Sequence, residues 1–309
     1  MLQAVRGFGL PLSRGPDPRG EASAVIAQAL GGLVPGGAYA ALAVCLVLMY
    51  QMLGVLNFAQ SAMGGLGACA SLFFINTLGW ATLPATLGAL VCGLLLGIIF
   101  GAVMSRFFLE TSVETRTTVT IAFLVGLIAI GNRILTGGTY TFPDIGGGHS
   151  VTLFGTGVPI GALIEAVGAL VLALAIQAFL RGTNVGAQLR AVSERPVTAQ
   201  LLGIRVRRLT VAVWAFAGLL STLAVLFVLP TTTASFPTLA DLVAFALGAA
   251  LLGLLRNLFV AALGGILIGM LQSVVQPTAI GRYTQAVPFV VIALVMFWWR
   301  RADVWSEAR

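Results

Sequence analysis

The chain has 309 residues, of which 17 are basic, 10 acidic and one a histidine, for a formal net charge of +7. Charged residues make up 9% and hydrophobic ones 59%, at a mean hydropathy of +1.02, against roughly 25% charged in a soluble domain; no soluble fold of this size hides so much apolar surface, so the solvent is lipid. All the basic residues are arginine and the only histidine is His149, which excludes a P-loop or Schiff-base lysine and any zinc site built on two histidines.

Residues 1–21 hold three arginines, two acids and three prolines, a composition expected of a loose polar tail. The first apolar run starts near Ala22 and continues to Tyr50, too long for a signal-peptide core, so no cleavage is expected. A bilayer core about 30 Å thick needs about 20 helical residues per crossing. Runs of that order lie near 24–50, 60–78, 83–105, 117–135, 158–180, 209–229, 241–255, 258–276 and 285–299. The expectation is an all-α polytopic membrane protein of about eight spans, forming one domain over 22–309. Only Arg256-Asn257 interrupts 241–276, which leaves two expectations there, two spans or a pair of short helices with one of them re-entrant. A further re-entrant piece at Pro35-Gly36-Gly37 is the alternative that would reverse the orientation of the N-terminus.

Orientation follows arginine in short loops. The segment 181–208 carries six arginines and one acid, Glu194, and the chain ends with Arg300, Arg301 and Arg309, so both are assigned to the cytoplasm and 136–157 to the outside. Counting back puts the N-terminus outside, in tension with the arginines of the tail. The glycine-rich 136–157 segment, with Val151 and Leu153 alternating, reads as an ordered loop or hairpin. Tyr140, Phe142 and Trp80 mark the outer interface and Trp298 and Trp299 the inner one. With the arginines accounted for by loops, no nucleic-acid surface is expected. Cys45, Cys69 and Cys92 sit apart in apolar runs and read as packing residues. Gly93, Gly97 and Gly101, and likewise Gly265 and Gly269, recur every four positions, a spacing that serves close helix approach.

The loop sequence Arg190-Ala-Val-Ser-Glu-Arg-Pro-Val-Thr-Ala-Gln-Leu-Leu-Gly-Ile204 predicts a short helix over about 194–202. Ser193 suits its cap, Glu194 its positive end, Pro196 its first turn and Gly203 its left-handed stop. Val197, Leu201 and Leu202 give it a small apolar face; lipid headgroups or its own chain are as good a cover for that face as a partner protein. Within the spans, Asn57 and Gln60 lie at a helix break, where capping competes with solute contact. Glu165 is an intramembrane carboxylate and hence a functional candidate, with a structural bond to Arg133 the favoured alternative. Asp241 reads as a helix cap.

Three blocks together carry a resemblance: Gly32-Leu-Val-Pro-Gly-Gly-Ala-Tyr-Ala-Ala-Leu-Ala-Val, then Tyr50-Gln-Met-Leu-Gly-Val-Leu-Asn-Phe-Ala-Gln60, then Arg190–Ile204 running into Arg207-Arg208. In order and spacing they are similar to the permease subunits of branched-chain amino acid ABC importers, over about residues 30–300. The resemblance implies a type II ABC importer-like fold in the bacterial cytoplasmic membrane and a transport subunit that is not itself an enzyme. Its implied partners are a second permease, the same or different, two cytoplasmic ATPases that carry ATP-Mg, and an external solute-binding protein. This chain is then expected to hold no cofactor and no metal. The loop helix, with Ser193, Glu194, Val197, Leu201, Leu202 and Gly203, becomes the ATPase-coupling helix. Asn57, Phe58, Gln60 and Glu165 become candidates for the translocation pathway. Two features depart from the family pattern. Gln60-Ser61 stands where His-Gly is usual, and Gly253-Leu-Leu-Arg-Asn replaces a glycine-rich turn, so the solute is a branched-chain amino acid or a related small organic molecule. The rival expectation is an ion-driven secondary transporter, which needs carboxylates near the midplane.

Overall fold

The computed structural model describes residues 18–134, 148–153, 156–229 and 236–307. Twelve α-helices and one β-hairpin are found among them: α1 Pro18–Gly31, α2 Leu33–Leu53, α3 Gln60–Asn76, α4 Thr82–Phe107, α5 Val113–Ile134, β1 Ser150–Leu153, β2 Thr156–Pro159, α6 Ile160–Gly182, α7 Asn184–Glu194, α8 Pro196–Leu201, α9 Val206–Val228, α10 Phe236–Leu252, α11 Leu258–Val275 and α12 Val287–Glu307. A short 3₁₀ turn, Gly281–Ala286, leads into α12. Seven segments are long and apolar enough to cross a membrane: α2, α4, α5, α6, α9, α11 and Gly281–Trp298. The chain is an all-α polytopic membrane protein apart from its hairpin. The remaining apolar runs are α3 and α10, of 17 residues each, about 25 Å of helix and thus shorter than a full crossing.

The helix α2 is the hub, packed against α6, α9, α10 and α11. Its small residues let neighbours approach closely. Gly32 and Gly36 lie directly on the backbone of Gly269 and Ile266, and Gly265 on that of Ala40, so α2 and α11 run antiparallel with glycine facing glycine. Tyr39 anchors the same contact, donating to Gln272 Oε1 at 2.7 Å and stacking on Phe245 with ring centroids 4.7 Å apart. The second seam joins α4 to α9, where Gly93, Gly97 and Gly101 face Thr222, Gly218 and Trp214. Both four-residue glycine periods of the sequence are therefore helix seams, where backbones approach because no side chain intervenes.

Several expectations are corrected. The first apolar run is two helices meeting at Gly32, whose N–H is bonded to Gln28 and Ala29 carbonyls; the helix passes unbroken through Pro35-Gly36-Gly37. Residues 18–21, assigned to the loose tail, belong to α1, where Pro18 occupies a first-turn position that needs no N–H; residues 1–17 lie outside the described residues. Asp241 is not a cap but an exposed residue five positions into α10. That helix starts beside the first turns of α3: Ser61 Oγ donates to the Ala240 carbonyl at 2.7 Å, and Gly65 packs on Phe236 and Leu239. The pair of short helices over 241–276 is thus α10 and the 18-residue α11, joined by a tight turn. Of the segment 136–157, the described part forms the antiparallel hairpin β1–β2, with Ser150 opposite Pro159 and Leu153 opposite Thr156. Tyr140 and Phe142 lie outside the described residues.

Candidate functional site

A polar knot forms where α2 stops and α3 starts. Gly54, at φ 64°, turns the chain out of α2. Asn57 Oδ1 then accepts from Ala59 N at 3.1 Å, while its Nδ2 donates to Gln60 Oε1 at 2.9 Å. Gln60 Nε2 donates in turn to Ser221 Oγ and, at 3.4 Å, to the Ala217 carbonyl on α9. Thr120 of α5 closes the other side, accepting from Phe58 N at 3.1 Å and lying 3.0 Å from the Leu56 carbonyl. Asn57, Gln60, Ser61, Thr120 and Ser221 have no exposed surface, so each is bound to a partner in a medium where a lost hydrogen bond is costly. Phe58 is half-buried and, with Asn57, Leu56 and Leu46, borders a narrow cleft against Val243 and Leu247 of α10. Thr120 and Ser221 escaped the sequence reading; their only signal was a hydroxyl inside an apolar run.

Glu165 stands apart from this knot. It lies on α6 with its side chain against Gly37 of α2, 16 residues before the end of that helix and so about 24 Å along its axis. The expected bond to Arg133 is not made: Glu165 is 5% exposed, and neither of its buried carboxylate oxygens has a hydrogen-bond partner among the described residues. The reason is position, since Glu165 is turned toward α2 by the close Gly37–Ala166 contact.

At the end where α2 stops, the 183–205 segment folds as two short helices rather than one. Thr183 Oγ1 accepts from Gly186 N at 3.1 Å and caps α7, and Arg190 donates to the Leu180 carbonyl. Ser193, expected as a cap, instead lies in the last turn of α7 and donates to the Arg190 carbonyl at 2.8 Å; Glu194 ends α7 instead of starting the next helix. Extended Arg195 separates the two, Pro196 opens α8, and Gly203 at φ 81° closes it as expected. Val192, Ala199 and Val206 form a small separate core with Leu109, Ile204 and Leu209 beside it. This core fixes α8 against α9 and the α4–α5 turn. Its outer face is apolar and open: Val197 is 54%, Leu202 75% and Leu201 84% exposed. Among the described residues no three His, Cys, Asp or Glu side chains gather in a metal-binding cluster.

A family model described as the permease component of the branched-chain amino acid transport system matches residues 28–296. The chain belongs to that family. The three sequence blocks of this permease map onto the first half of α2, the α2–α3 break with its polar knot, and the α7–α8 loop. A solved structure described as PsaBC from Streptococcus pneumoniae in complex with Fab aligns with 86% of this chain and 89% of that chain, at 13% identity and a TM-score of 0.48. No curated protein matches the sequence.

Proposed function

We propose that the chain is the membrane-spanning subunit of an ATP-driven importer for branched-chain amino acids or a related small organic solute. It works in the bacterial cytoplasmic membrane with a second permease subunit, two ATPases that carry ATP-Mg, and an external solute-binding protein. Family membership supports the transport role, and the observation that supports the coupling role is α8 with Val197, Leu201 and Leu202 exposed. An ATPase groove that covers this face removes three large apolar side chains from water. Force applied there reaches Val206, the first residue of α9, through the small core beneath α8. The other half of α9 carries Ser221, which holds Gln60. Movement of α9 away from α3 would release Gln60 and Asn57, and we assign these two, with Phe58 and Glu165, to the solute path that such movement opens. In this reading Ser193 and Glu194 hold the end of α7, and Gly203 sets the exit angle of α8. ATP hydrolysis belongs to the partner chains and this chain performs no covalent chemistry.

The test is Leu201→Asp and Leu202→Asp, assayed for ATPase co-purification and ATP-dependent uptake at matched membrane levels. A charge in a covered apolar contact costs several kcal/mol, so both readouts are expected to fall at least about tenfold, which corresponds to roughly 1.4 kcal/mol. Normal binding and uptake in both variants would remove the coupling role. The unpartnered Glu165 favours one other reading, ion-driven transport by this chain alone. Gradient-driven uptake by the purified polypeptide that is lost in Glu165→Gln would establish it.

A further inference from the structure

Beneath the α7–α8 loop lies a cavity walled by Leu109, Val192, Pro196, Met104 and Trp214 and open on one side. Two polar side chains line it. Arg116, in the first turn of α5, donates through Nη1 to the Leu53 carbonyl at 2.9 Å, capping the end of α2. Its Nε is buried and has no partner among the described residues. Thr210, in the second turn of α9, is 4% exposed and its hydroxyl is likewise without a partner. This is out of character for the chain. Thr86, Ser105, Thr118, Ser221 and Thr222 each return their hydroxyl to a carbonyl three or four residues back in their own helix, and Thr210 does not. Both residues line this cavity and each keeps one buried donor unpaired, at a cost of about 1–3 kcal/mol each unless something accepts from it.

We propose that this cavity is an oxyanion site, in which one oxygen of a phosphate or carboxylate accepts from Arg116 Nε–H and Thr210 Oγ–H. The interior has room for about one water-sized group, so a single oxygen enters and the rest of the ligand stays at the mouth. Charge selects an anion. The N-termini of α5 and α9 both lie at this end, bringing positive dipole ends. Arg106, Arg195, Arg205, Arg207 and Arg208 lie on the same turns, against Glu110, Glu114 and Glu194, which are exposed. The anion has two sources of the same chemistry, the phosphate of a lipid headgroup or a free small oxyanion. Either occupant ties α5 to α9 under Val192 and Pro196, and so braces the loop that carries α8. This site stands whether or not the importer reading does.

The test uses the full-length chain in a phospholipid-free maltoside detergent, following the thermal unfolding midpoint. In one arm inorganic phosphate is titrated against chloride at equal ionic strength. In the other, phosphatidylglycerol is titrated against diacylglycerol, which lacks the phosphate. Thr210→Val removes the hydroxyl at nearly constant shape, and Thr210→Ser keeps it. A midpoint that rises with phosphate in the wild type and in Thr210→Ser, but needs about tenfold more ligand in Thr210→Val, supports a free oxyanion. The same pattern with phosphatidylglycerol alone supports a lipid phosphate. No rise with either, an equal response in Thr210→Val, or a Thr210→Val chain that is simply more stable and indifferent to both, overturns the site.

Discussion

Leu254 and Leu255 hold φ of 58° and 55°, the only non-glycine residues with positive φ among those described. They form the turn between α10 and α11, fixed by Leu254 N and Leu255 N bonding to the Leu251 and Ala250 carbonyls at 2.8 and 3.0 Å, and by Asn257, whose Oδ1 caps α11 at Phe259 N and Val260 N. Left-handed backbone costs an L-residue roughly 1–2 kcal/mol. The expected stability order at position 254 is therefore glycine at least equal to leucine, and valine lowest by about 1 kcal/mol or more, because a β-branched side chain is worst in this region. Half-burial alone predicts the opposite rank of valine and glycine, so the thermal midpoints of Leu254→Gly and Leu254→Val decide between them. That Gly253-Leu-Leu-Arg-Asn departs from the glycine-rich turn of the family it resembles was legible in the sequence; that Leu254 and Leu255 take left-handed backbone was not. At the α2–α3 break the residue types Asn57 and Gln60 announced a capped interruption. Ser221, which holds Gln60, and Thr120, which holds Phe58 N, lie 161 and 62 positions away from them and have no sequence signal beyond being hydroxyls.

Helices of this protein meet through glycine, and the cost of a methyl group depends on which glycine receives it. A Cβ at Gly97 would press on the Trp214 carbonyl and on Ala215 Cα of α9, whereas at Gly168 of α6 it meets nothing within 4 Å. Gly97→Ala is expected to destabilise by about 1–3 kcal/mol, since backbone cannot move aside as a side chain can. Gly168→Ala should stabilise by about 0.5–1 kcal/mol through helix propensity alone. The two midpoints, measured on the purified chain, separate seam from surface; equal shifts would show that α4 and α9 are not in contact at Gly97. Span positions were readable from hydropathy because each run is bounded by polar residues. The kinds of break were less readable. The apolar stretch around Gly32 offers no polar marker; α3 starts inside the bundle, where Thr120 of α5 accepts from Phe58 N just ahead of it, and α10 starts against the first turns of α3. In the loop, Ser193 and Glu194 looked like the start of a helix because a cap motif and the end of an amphipathic helix share residue types; the extended Arg195 decides which it is.

At the scale of the molecule, the contacts assign connections to two ends without reference to charge. Arg116 binds the end of α2, Gln51 Nε2 donates to the Arg256 carbonyl at 2.5 Å, and Leu109 joins the core of the α7–α8 loop. The end of α2, the α4–α5 and α10–α11 turns and the α7–α8 loop therefore share one end, with Arg106, Arg116, Arg181, Arg190, Arg195, Arg205, Arg207, Arg208 and Arg256. The hairpin β1–β2 packs on α1 and the start of α6, at the opposite end. The arginine imbalance between the ends supports the proposal that the loop end is the cytoplasmic one, by the positive-inside rule. Arg19 on α1 counts against this majority, because α1 extends α2 at the hairpin end, and the rule weighs the short loops together. In a background with Cys45, Cys69 and Cys92 replaced, single cysteines at the exposed positions Ser150 and Thr198 should react differently with a membrane-impermeant thiol reagent. Intact cells are expected to label only at 150, and opened membranes at both. Labelling of 198 alone in intact cells would invert the protein, put α8 on the side away from ATP, and end the coupling proposal while leaving the fold and the glycine seams untouched.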